Sequence, residues 1–249
     1  MVGKTQMGRF HDKHFPDETD VYRQARDHLI GAEVALRRQL EEVARLRRSL
    51  PPGGKLKEDY VFDEGGIDLN DRTALKRTHF SELFEGTTKT LVIYGLMFAP
   101  GANTPCPMCA SFLDSLNGAA PHIRQRVSLV VVAKTSIEQL RDLGRDRQWN
   151  NHRLLSSKNN TFNSDYNAQT TDQNQTPILQ VFERGRDGIR HAYSTELQFV
   201  KPDAGQNPRH LDLMWPLWNV FDLVREGRGT EWFPSLSYDS SLPTPDPKS

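Results

Sequence analysis

The stretch TLVIYGLMFAPGANTPCPMCASFLDSLNGAAPHIRQRVSLVVVAK, residues 90–134, decides the fold and contains both cysteines of the 249-residue chain. Its two ends, TLVIYGLMF (90–98) and SLVVVAK (128–134), are apolar at consecutive positions, which is typical of strands buried on both faces. Between them, residues 110–116 favour a helix that ends near Asn117 and Gly118. A strand, a helix and a second strand in this order predict a parallel β-α-β unit with a right-handed crossover.

The two cysteines, Cys106 and Cys109, form a C-x-x-C pair, a spacing that random placement gives in about one arrangement in a hundred. Such a pair close to a β-α-β pattern is typical of a redox dithiol, whereas a structural zinc site ordinarily has a second pair of ligands at matching spacing. The sequence has no second pair. We therefore predict that the dithiol is catalytic, redox-sensing or metal-binding rather than a structural staple.

The local sequence predicts different roles for the two thiols. It places Cys106 at the N-cap of the helix and Pro107 at the first helical position, where a proline costs no hydrogen bond. The unpaired N–H groups and the positive end of the helix dipole stabilise a thiolate there, and we expect them to supply most of a moderate lowering of the pKa of Cys106. Cys109 lies one turn further on, where it would resolve a mixed disulfide formed at Cys106.

The remaining C-terminal segments complete the predicted order of elements. Residues 136–148 favour a second helix, and a polar, asparagine-rich connection (156–175) leads to Thr176 and Pro177. PILQVFER (177–184) and IRHAYST (189–195), separated by Gly185–Gly188, predict a β-hairpin, and LDLMWPLWNVFDLVRE (211–226) predicts a final helix. A cis bond before Pro177 would present a backbone edge beside the dithiol, on which an extended substrate could dock.

The N-terminal region has a different pattern. The segment 20–50 is rich in helix formers and ends before Pro51-Pro52-Gly53-Gly54, so it predicts one long helix. An apolar residue recurs every seven positions along it, at Leu29, Leu36, Val43 and Leu50. This stripe either packs on its own domain or joins two copies in a homodimer through the N-terminal helix.

Composition excludes several classes of function. Lysine plus arginine equals aspartate plus glutamate at 32 each, so the net charge gives no general attraction to nucleic acid or to an anionic membrane. The first twenty residues contain no apolar run of the secretory kind and no stretch approaches eighteen apolar residues, so we expect a cytoplasmic, unanchored protein. The glycine fingerprint of dinucleotide-binding proteins is absent, and we expect no cofactor.

The pieces together resemble the thioredoxin superfamily: C-P-M-C follows a buried strand, and Thr-Pro leads into a hairpin. More narrowly, the chain resembles a bacterial family of unknown function whose members are described as predicted dithiol-disulfide oxidoreductases. The resemblance extends from about Asp20 to Tyr238. The segments that carry it are LRRSLP, DYVFDEGG, SELFEG, MFAP, CPMC, APHI, SLVVVAK, TFNSDY, HAYST and DLVREGRGTEWFPSLSYD.

The resemblance implies an α/β class with a thioredoxin-like fold, a central mixed sheet flanked by helices, and a long N-terminal helical extension. The predicted organisation is a disordered N-terminus (1–19), the helix extension and linker (20–54), the thioredoxin-like domain (55–238) and a disordered tail (239–249). The resemblance also implies a redox role for Cys106 and Cys109 and favours a cis bond at Pro177. We predict that Pro107, Thr176 and Pro177 lie at the substrate. The expected partners are a protein or small-molecule disulfide as substrate and a cellular thiol as electron donor.

The sequence departs from the patterns of thioredoxins and of peroxiredoxins at two points that bear on the activity. Thioredoxins carry a buried acidic residue on the strand that enters the active site, and TLVIYGLMFAPGANT has none. Peroxiredoxins carry a threonine three residues before the peroxidatic cysteine, whereas Thr104 lies two before Cys106 and five before Cys109. The sequence therefore favours a thiol-disulfide oxidoreductase. The alternatives are a thiol peroxidase of atypical geometry, a copper- or zinc-binding module in which His122 or another histidine joins the cysteines, and a non-catalytic scaffold built on the long helix.

Overall fold

A computed structural model describes residues 10–11 and 13–238 and divides the chain into two compact units at the junction of Pro51 and Pro52. The first unit is built on the long helix α1 (Asp20–Arg48). Thr19 is the N-cap of this helix, and its hydroxyl accepts a hydrogen bond from the N–H of Tyr22, which satisfies one free donor of the first turn. Arginines occupy the last turn, where they complement the negative end of the helix dipole.

The second unit is an α/β domain. Its strands are β1 (Val61–Gly65), β2 (Leu75–His79), β3 (Thr90–Leu96), β4 (Ser128–Ala133), β5 (Arg153–Ser156), β6 (Ile178–Gly185) and β7 (Gly188–Ser194). Its helices are α2 (Pro107–Ile123), α3 (Ile137–Asp146), α4 (Phe162–Asp165) and α5 (Pro216–Phe221), and short 3₁₀ turns span Phe80–Leu83, Glu196–Phe199 and Asp212–Met214.

The seven strands form one mixed sheet in the order β2-β1-β5-β4-β3-β6-β7. Strand β3 pairs in parallel with β4 and antiparallel with β6, and β6 continues into the antiparallel hairpin with β7. A parallel β3-α2-β4 unit followed by this hairpin is the arrangement of the thioredoxin fold. The predicted fold class, a thioredoxin-like mixed sheet flanked by helices with an N-terminal helix ahead of it, is confirmed.

The two faces of the sheet carry separate cores, because successive side chains of a strand point to opposite faces. On the face we call the dithiol face, α2, α3 and α5 pack over β3 and β4 through residues such as Tyr94, Phe112, Leu140 and Trp218. On the opposite face, which we call the aromatic face, the core is dominated by rings. These rings are Tyr60, Phe62, Phe80, Phe84, Phe162, Tyr166 and Phe182.

Helix α2 is longer than the sequence predicts. It continues past Asn117 and Gly118 to Ile123 although Pro121 lies inside it. Pro121 has no N–H to donate to the carbonyl of Asn117, four residues earlier, and such a loss normally ends a helix. Here the side-chain amide of Asn151 donates to that carbonyl at 3.1 Å, so a distant residue supplies the missing hydrogen bond.

One other prediction is wrong, and two strands are missing from the predicted elements. The final helix predicted over 211–226 is broken by Pro216, which begins the short α5 after a separate 3₁₀ turn. Strands β2 and β5 lie outside the predicted elements. Strand β2, LKRTH, is a largely exposed edge strand of polar composition, and β5 has only four residues, so neither gives a clear apolar pattern.

Within residues 10–11 and 13–238, no helix is both long enough and apolar enough to cross a membrane. The predicted tail 239–249, together with residues 1–9 and 12 of the predicted N-terminal segment, lies outside the described residues.

Candidate active site

The dithiol lies where the central strand β3 passes into helix α2. The N–H of Cys106 donates to the carbonyl of Met97 at 2.9 Å, which fixes the start of the helix against the end of the strand. Cys106 is the N-cap residue with extended backbone angles (φ −62°, ψ 123°), and Pro107 occupies the first turn, as the sequence predicts. The first-turn N–H groups of α2 therefore point toward the sulfur of Cys106.

Cys106 is partly exposed, and the groups that act on its sulfur come from the first turn of α2. The thiol of Cys109 is the group that stabilises the Cys106 thiolate most. Burial destabilises that thiolate, and the N–H groups of Cys109 and Met108 stabilise it further. Together they lower the pKa of Cys106 to about 6. Among the described residues no Lys, Arg or His contributes to this lowering. The lowering is larger than the sequence predicts, and its main source is the second cysteine rather than the helix terminus alone.

Cys109 is the shielded member of the pair, with 2% of its surface exposed. Its hydrogen bond to Cys106, its burial and the nearby charge on Cys106 raise the pKa of Cys109 well above the ordinary value. Two donors oppose this rise: the hydroxyl of Tyr94 and the N–H of Met97 both donate to the sulfur of Cys109. One thiol is therefore ionised near neutral pH while its partner keeps its proton.

Tyr94 is a residue that the sequence reasoning missed. It lies on β3 and is 1% exposed, on the same face of the sheet as α2. A buried tyrosine hydroxyl needs a hydrogen-bond partner, and Tyr94 carries the one polar side-chain group of the run LVIYGL, residues 91–96. That lone phenol in a strand leading to the dithiol was the signal available in the sequence, but the identity of its partner depends on how α2 packs on β3.

Thr176 and Pro177 lie at the same end of the sheet as the dithiol, because Ile178 pairs with Gly95 near the end of β3. The prediction of a cis bond here is wrong: every peptide bond in the described part of the chain is trans, including the one before Pro177. The N–H of Thr176 donates to the carbonyl of Ala168 at 2.9 Å, so the connection from α4 already holds the chain extended as it enters β6. The trans isomer, which is also intrinsically preferred, satisfies this geometry.

His122 does not join the cysteines. It follows Cys109 by 13 positions in the same helix, which at a rise of about 1.5 Å per residue separates them by roughly 20 Å along the axis. No group of three or more His, Cys, Asp or Glu side chains within residues 10–11 and 13–238 is placed to hold a metal ion. The donor set proposed for a copper or zinc module is therefore not assembled by the fold.

Comparisons with known proteins place the chain in a family. No curated protein matches it. Among solved structures, the reduced 2-Cys peroxiredoxin of Plasmodium vivax matches with 14% identity and a TM-score of 0.44, covering 68% of this chain and 98% of that one. AhpC of Enterococcus faecalis matches with 11% identity and a TM-score of 0.44, covering 72% and 98%.

Peroxidoxin BcpB of Mycobacterium tuberculosis matches with 14% identity and a TM-score of 0.42, covering 67% of this chain and 95% of that one. At such identities nothing about the chemistry of these proteins is transferred to this chain. A family model, by contrast, matches residues 13–240, which is most of the sequence. The chain belongs to the family described as "Bacterial protein of unknown function (DUF899)".

Proposed function

We propose that the protein is a thiol-disulfide oxidoreductase in which Cys106 is the nucleophile and Cys109 the resolving thiol. The observation that carries the proposal is the asymmetry of the pair. The pKa of Cys106 is lowered to about 6. Cys109 is buried, stays protonated, and its thiol donates a hydrogen bond to the sulfur of Cys106. A thiolate is the attacking species in disulfide exchange, and a shielded second thiol within one helical turn is suited to the second step.

The first step forms a mixed disulfide between Cys106 and the substrate. The Cys106 thiolate attacks one sulfur of the substrate disulfide, the bond between Cys106 and that sulfur forms, and the other sulfur leaves as a thiolate that takes a proton from solvent. In the second step Cys109 attacks Cys106, which releases the second substrate sulfur and leaves a disulfide between Cys106 and Cys109. The substrate disulfide is reduced by two electrons, and the dithiol is oxidised by two. A cellular thiol donor would return it to the reduced state, which favours a reducing, cytoplasmic compartment.

The substrate surface is proposed to include Pro107, Thr176 and Pro177. Each is partly exposed and lies at the end of the sheet where Cys106 opens to solvent. The N–H of Thr176 is already used by Ala168, so a docking peptide would meet the ring of Pro177 and the carbonyl side of this segment rather than a free backbone donor. An extended disulfide substrate fits this edge better than a compact one.

The surroundings of Cys106 favour exchange over peroxide reduction. Peroxide reduction of the usual kind uses a threonine hydroxyl three residues before the reactive cysteine together with an arginine. Thr104 is out of register for either thiol, and no described cation contributes to the ionisation of Cys106. We therefore place peroxide among the control substrates.

The test is reduction of a protein disulfide by dithiothreitol, with wild type, Cys106→Ser and Cys109→Ser prepared without added metal. We expect wild type to accelerate the reduction, Cys106→Ser to run at the uncatalysed rate, and Cys109→Ser to accumulate a mixed disulfide with the substrate, detected by intact mass. Hydrogen peroxide replaces the disulfide in a parallel assay. Equal inactivity of all three proteins toward the disulfide would refute the proposal, and stoichiometric copper or zinc in wild type alone would then identify a metal site.

A further inference from the structure

We propose that Tyr94 is a catalytic residue of the dithiol: its hydroxyl donates a hydrogen bond to the sulfur of Cys109 and stabilises the Cys109 thiolate as it forms in the second step. This role rests on the proposed function. The strand that enters the site carries no carboxylate, and Tyr94 is the side chain of that strand that contacts the sulfur of Cys109.

The position of Tyr94 is tightly determined. It is in the central strand β3, opposite Val131 on one neighbouring strand and Leu179 on the other. Its ring packs against the ring of Phe112 with centroids 4.7 Å apart, so the phenol is held between the sheet and α2. With 1% of its surface exposed, its hydroxyl has no access to bulk water, and the sulfur of Cys109 is the partner that it meets. Neutral and ionised forms of Cys109 therefore both lie beside a fixed donor.

Tyr94 acts as a donor and not as a proton acceptor. Burial, followed by the charge and hydrogen bond of Cys109, raises the pKa of Tyr94 well above 10. The phenol thus keeps its proton throughout the pH range in which Cys106 titrates. A neutral donor placed at the atom where negative charge develops stabilises that charge without having to reorganise during the reaction.

The need for such a donor arises in the second step. In the reduced protein the largest influence raising the pKa of Cys109 is its hydrogen bond to the Cys106 sulfur. Once Cys106 is bonded to the substrate, that thiolate no longer exists and its influence ends. Burial still opposes ionisation of Cys109, and the groups that counter burial are the Tyr94 hydroxyl and the Met97 N–H.

The step balances as follows. The Cys109 thiol loses its proton to solvent, and the resulting thiolate, held by Tyr94 and Met97, attacks the sulfur of Cys106. The bond between Cys109 and Cys106 forms, the bond between Cys106 and the substrate sulfur breaks, and the departing substrate thiolate takes a proton from solvent. Tyr94 forms and breaks no covalent bond, and no other oxidant or reductant is needed.

The chain provides a matched control in Tyr60. This tyrosine is also 1% exposed, but it lies on the aromatic face and donates to Asp165 Oδ2 at 2.9 Å. Tyr60→Phe removes a buried phenol hydroxyl of the same kind without touching the dithiol. Tyr94→Phe and Tyr60→Phe therefore have similar general effects on a buried core, and only the first removes a donor from sulfur.

The experiment has two readouts. In a Cys106→Ser background the neutral serine resembles the mixed disulfide in carrying no charge, and the pKa of Cys109 is measured from the pH dependence of its alkylation by a small reagent. In wild type the titratable groups that act on Cys109 are Cys106, at the start of α2, and Tyr94, on β3. In the Cys106→Ser background Tyr94 remains. With Cys106 present, single-turnover reaction with a protein disulfide separates formation of the mixed disulfide from its resolution.

We expect Tyr94→Phe to raise the pKa of Cys109 and to slow resolution about tenfold, the lower bound for loss of a hydrogen bond to a charged group. Formation of the mixed disulfide should change by less than about twofold, since Tyr94 does not contribute to the lowering of the pKa of Cys106. Tyr60→Phe should change neither quantity. As a control for folding, the pH midpoint for alkylation of Cys106 should stay near 6 in Tyr94→Phe, because that value depends on an intact site.

Two results would overturn the role of Tyr94 alone: an unchanged pKa of Cys109 in Tyr94→Phe, or a raised pKa with resolution as fast as in wild type. An equal change in Tyr60→Phe would also overturn it, because the effect would then come from general loosening of the core. Failure of the proposed function looks different. In that case wild type itself reduces no disulfide, and the catalytic role of Tyr94 falls with it whatever the Cys109 titration shows.

Discussion

Two buried tyrosines on opposite faces of the same sheet do different work because their hydroxyls meet different partners. On the aromatic face, Tyr60 donates to Asp165, a carboxylate that also accepts hydrogen bonds from Lys57 and Thr161. On the dithiol face, Tyr94 donates to Cys109, whose charge would change during disulfide exchange. The first arrangement joins α4 to the start of β1, whereas the second involves a group that is proposed to react. One face of the sheet thus carries a structural hydrogen-bond network, and the other carries the dithiol.

The packing of the two faces agrees with this division. On the aromatic face Phe80 is fully buried, with its ring centroid 4.8 Å from that of Phe182 and 5.8 Å from that of Phe162. Each pair adds to the free energy gained by burying the rings. The dithiol face contains the partly exposed Cys106, so its core is interrupted where the substrate would enter.

The largest expected effect comes from opening the aromatic face. Phe80→Ala should lower the free energy of unfolding by about 3–5 kcal/mol, because it removes a whole buried ring and leaves a cavity. Urea unfolding measures the loss, and Phe80→Leu, which keeps much of the volume, should lose clearly less. If the faces are independent, the protein that remains folded keeps a Cys106 midpoint near pH 6. A shifted midpoint would show that the two faces are coupled.

The next effect concerns the ion pair at the edge of the aromatic face. Glu64 on β1 is 5% exposed, and its carboxylate accepts from Arg153 on β5 at 2.5 Å and from the Thr78 hydroxyl on β2 at 2.6 Å. Glu64→Gln leaves the guanidinium with the more distant carboxylate of Glu85, at 3.7 Å, as its nearest counter-charge, so we expect a loss of about 3 kcal/mol in unfolding free energy at neutral pH.

The pH dependence of that loss has a definite sign. Burial alone would raise the pKa of Glu64, but the hydrogen bonds from Arg153 and Thr78 hold it below its usual 4.5. A carboxyl whose pKa is lowered in the folded state stabilises the protein above pH 4.5 and loses this contribution as the pH falls through the folded value. The difference between wild type and Glu64→Gln should therefore be full at pH 7 and shrink in acid. A pH-independent difference would contradict the ion-pair explanation.

The third effect belongs to the dithiol face. With a pKa of about 6, Cys106 should be alkylated about tenfold more slowly at pH 5 than on the plateau at higher pH. Cys109→Ala removes the thiol that donates to Cys106, so the midpoint should move upward toward that of a free cysteine. Cys109→Ser keeps a hydroxyl donor and should move it less. Equal midpoints in all three proteins would show that the first-turn N–H groups alone lower the pKa of Cys106.

The faces also differ in how far they could be predicted from the sequence. The β3-α2-β4 unit, the hairpin and the positions of Cys106 and Pro107 follow from local patterns, namely apolar runs, a proline at the first turn and glycines between strands. The partner of Tyr94 does not, because the strand residue and Cys109 meet only through the packing of α2 on β3. The apolar period of a helix (3.6 residues) or of a strand (two residues) indicates which side of the element is buried. It does not indicate which atom of another element lies against that side.

Contacts between distant segments also explain the other errors. Helix α2 passes through Pro121 because Asn151 reaches the carbonyl of Asn117, and the bond before Pro177 is trans where the connection from α4 holds Thr176. Strand β5 is four residues long and is identified by pairing with β4 and β1 on either side. For α2 and β5 a hydrogen bond from a remote part of the chain outweighs the local preference, whereas at Pro177 the hydrogen bond to Ala168 agrees with the intrinsic preference for trans.

The smallest effect tests whether the dithiol face tolerates a purely local loss. Ser136 is the N-cap of α3, which packs on this face through Ile137 and Leu140, and its hydroxyl accepts from the N–H of Gln139 at 3.3 Å. Ser136→Ala should lower the unfolding free energy by about 1 kcal/mol, whereas Ser136→Asp, which restores an acceptor, should recover most of it. Because α3 contributes no group to either sulfur, the Cys106 midpoint should stay near pH 6 in both variants. A midpoint that moves with the cap would mean that the pKa of Cys106 depends on the stability of the whole dithiol face, and α3 would then have to be counted among the elements that set it.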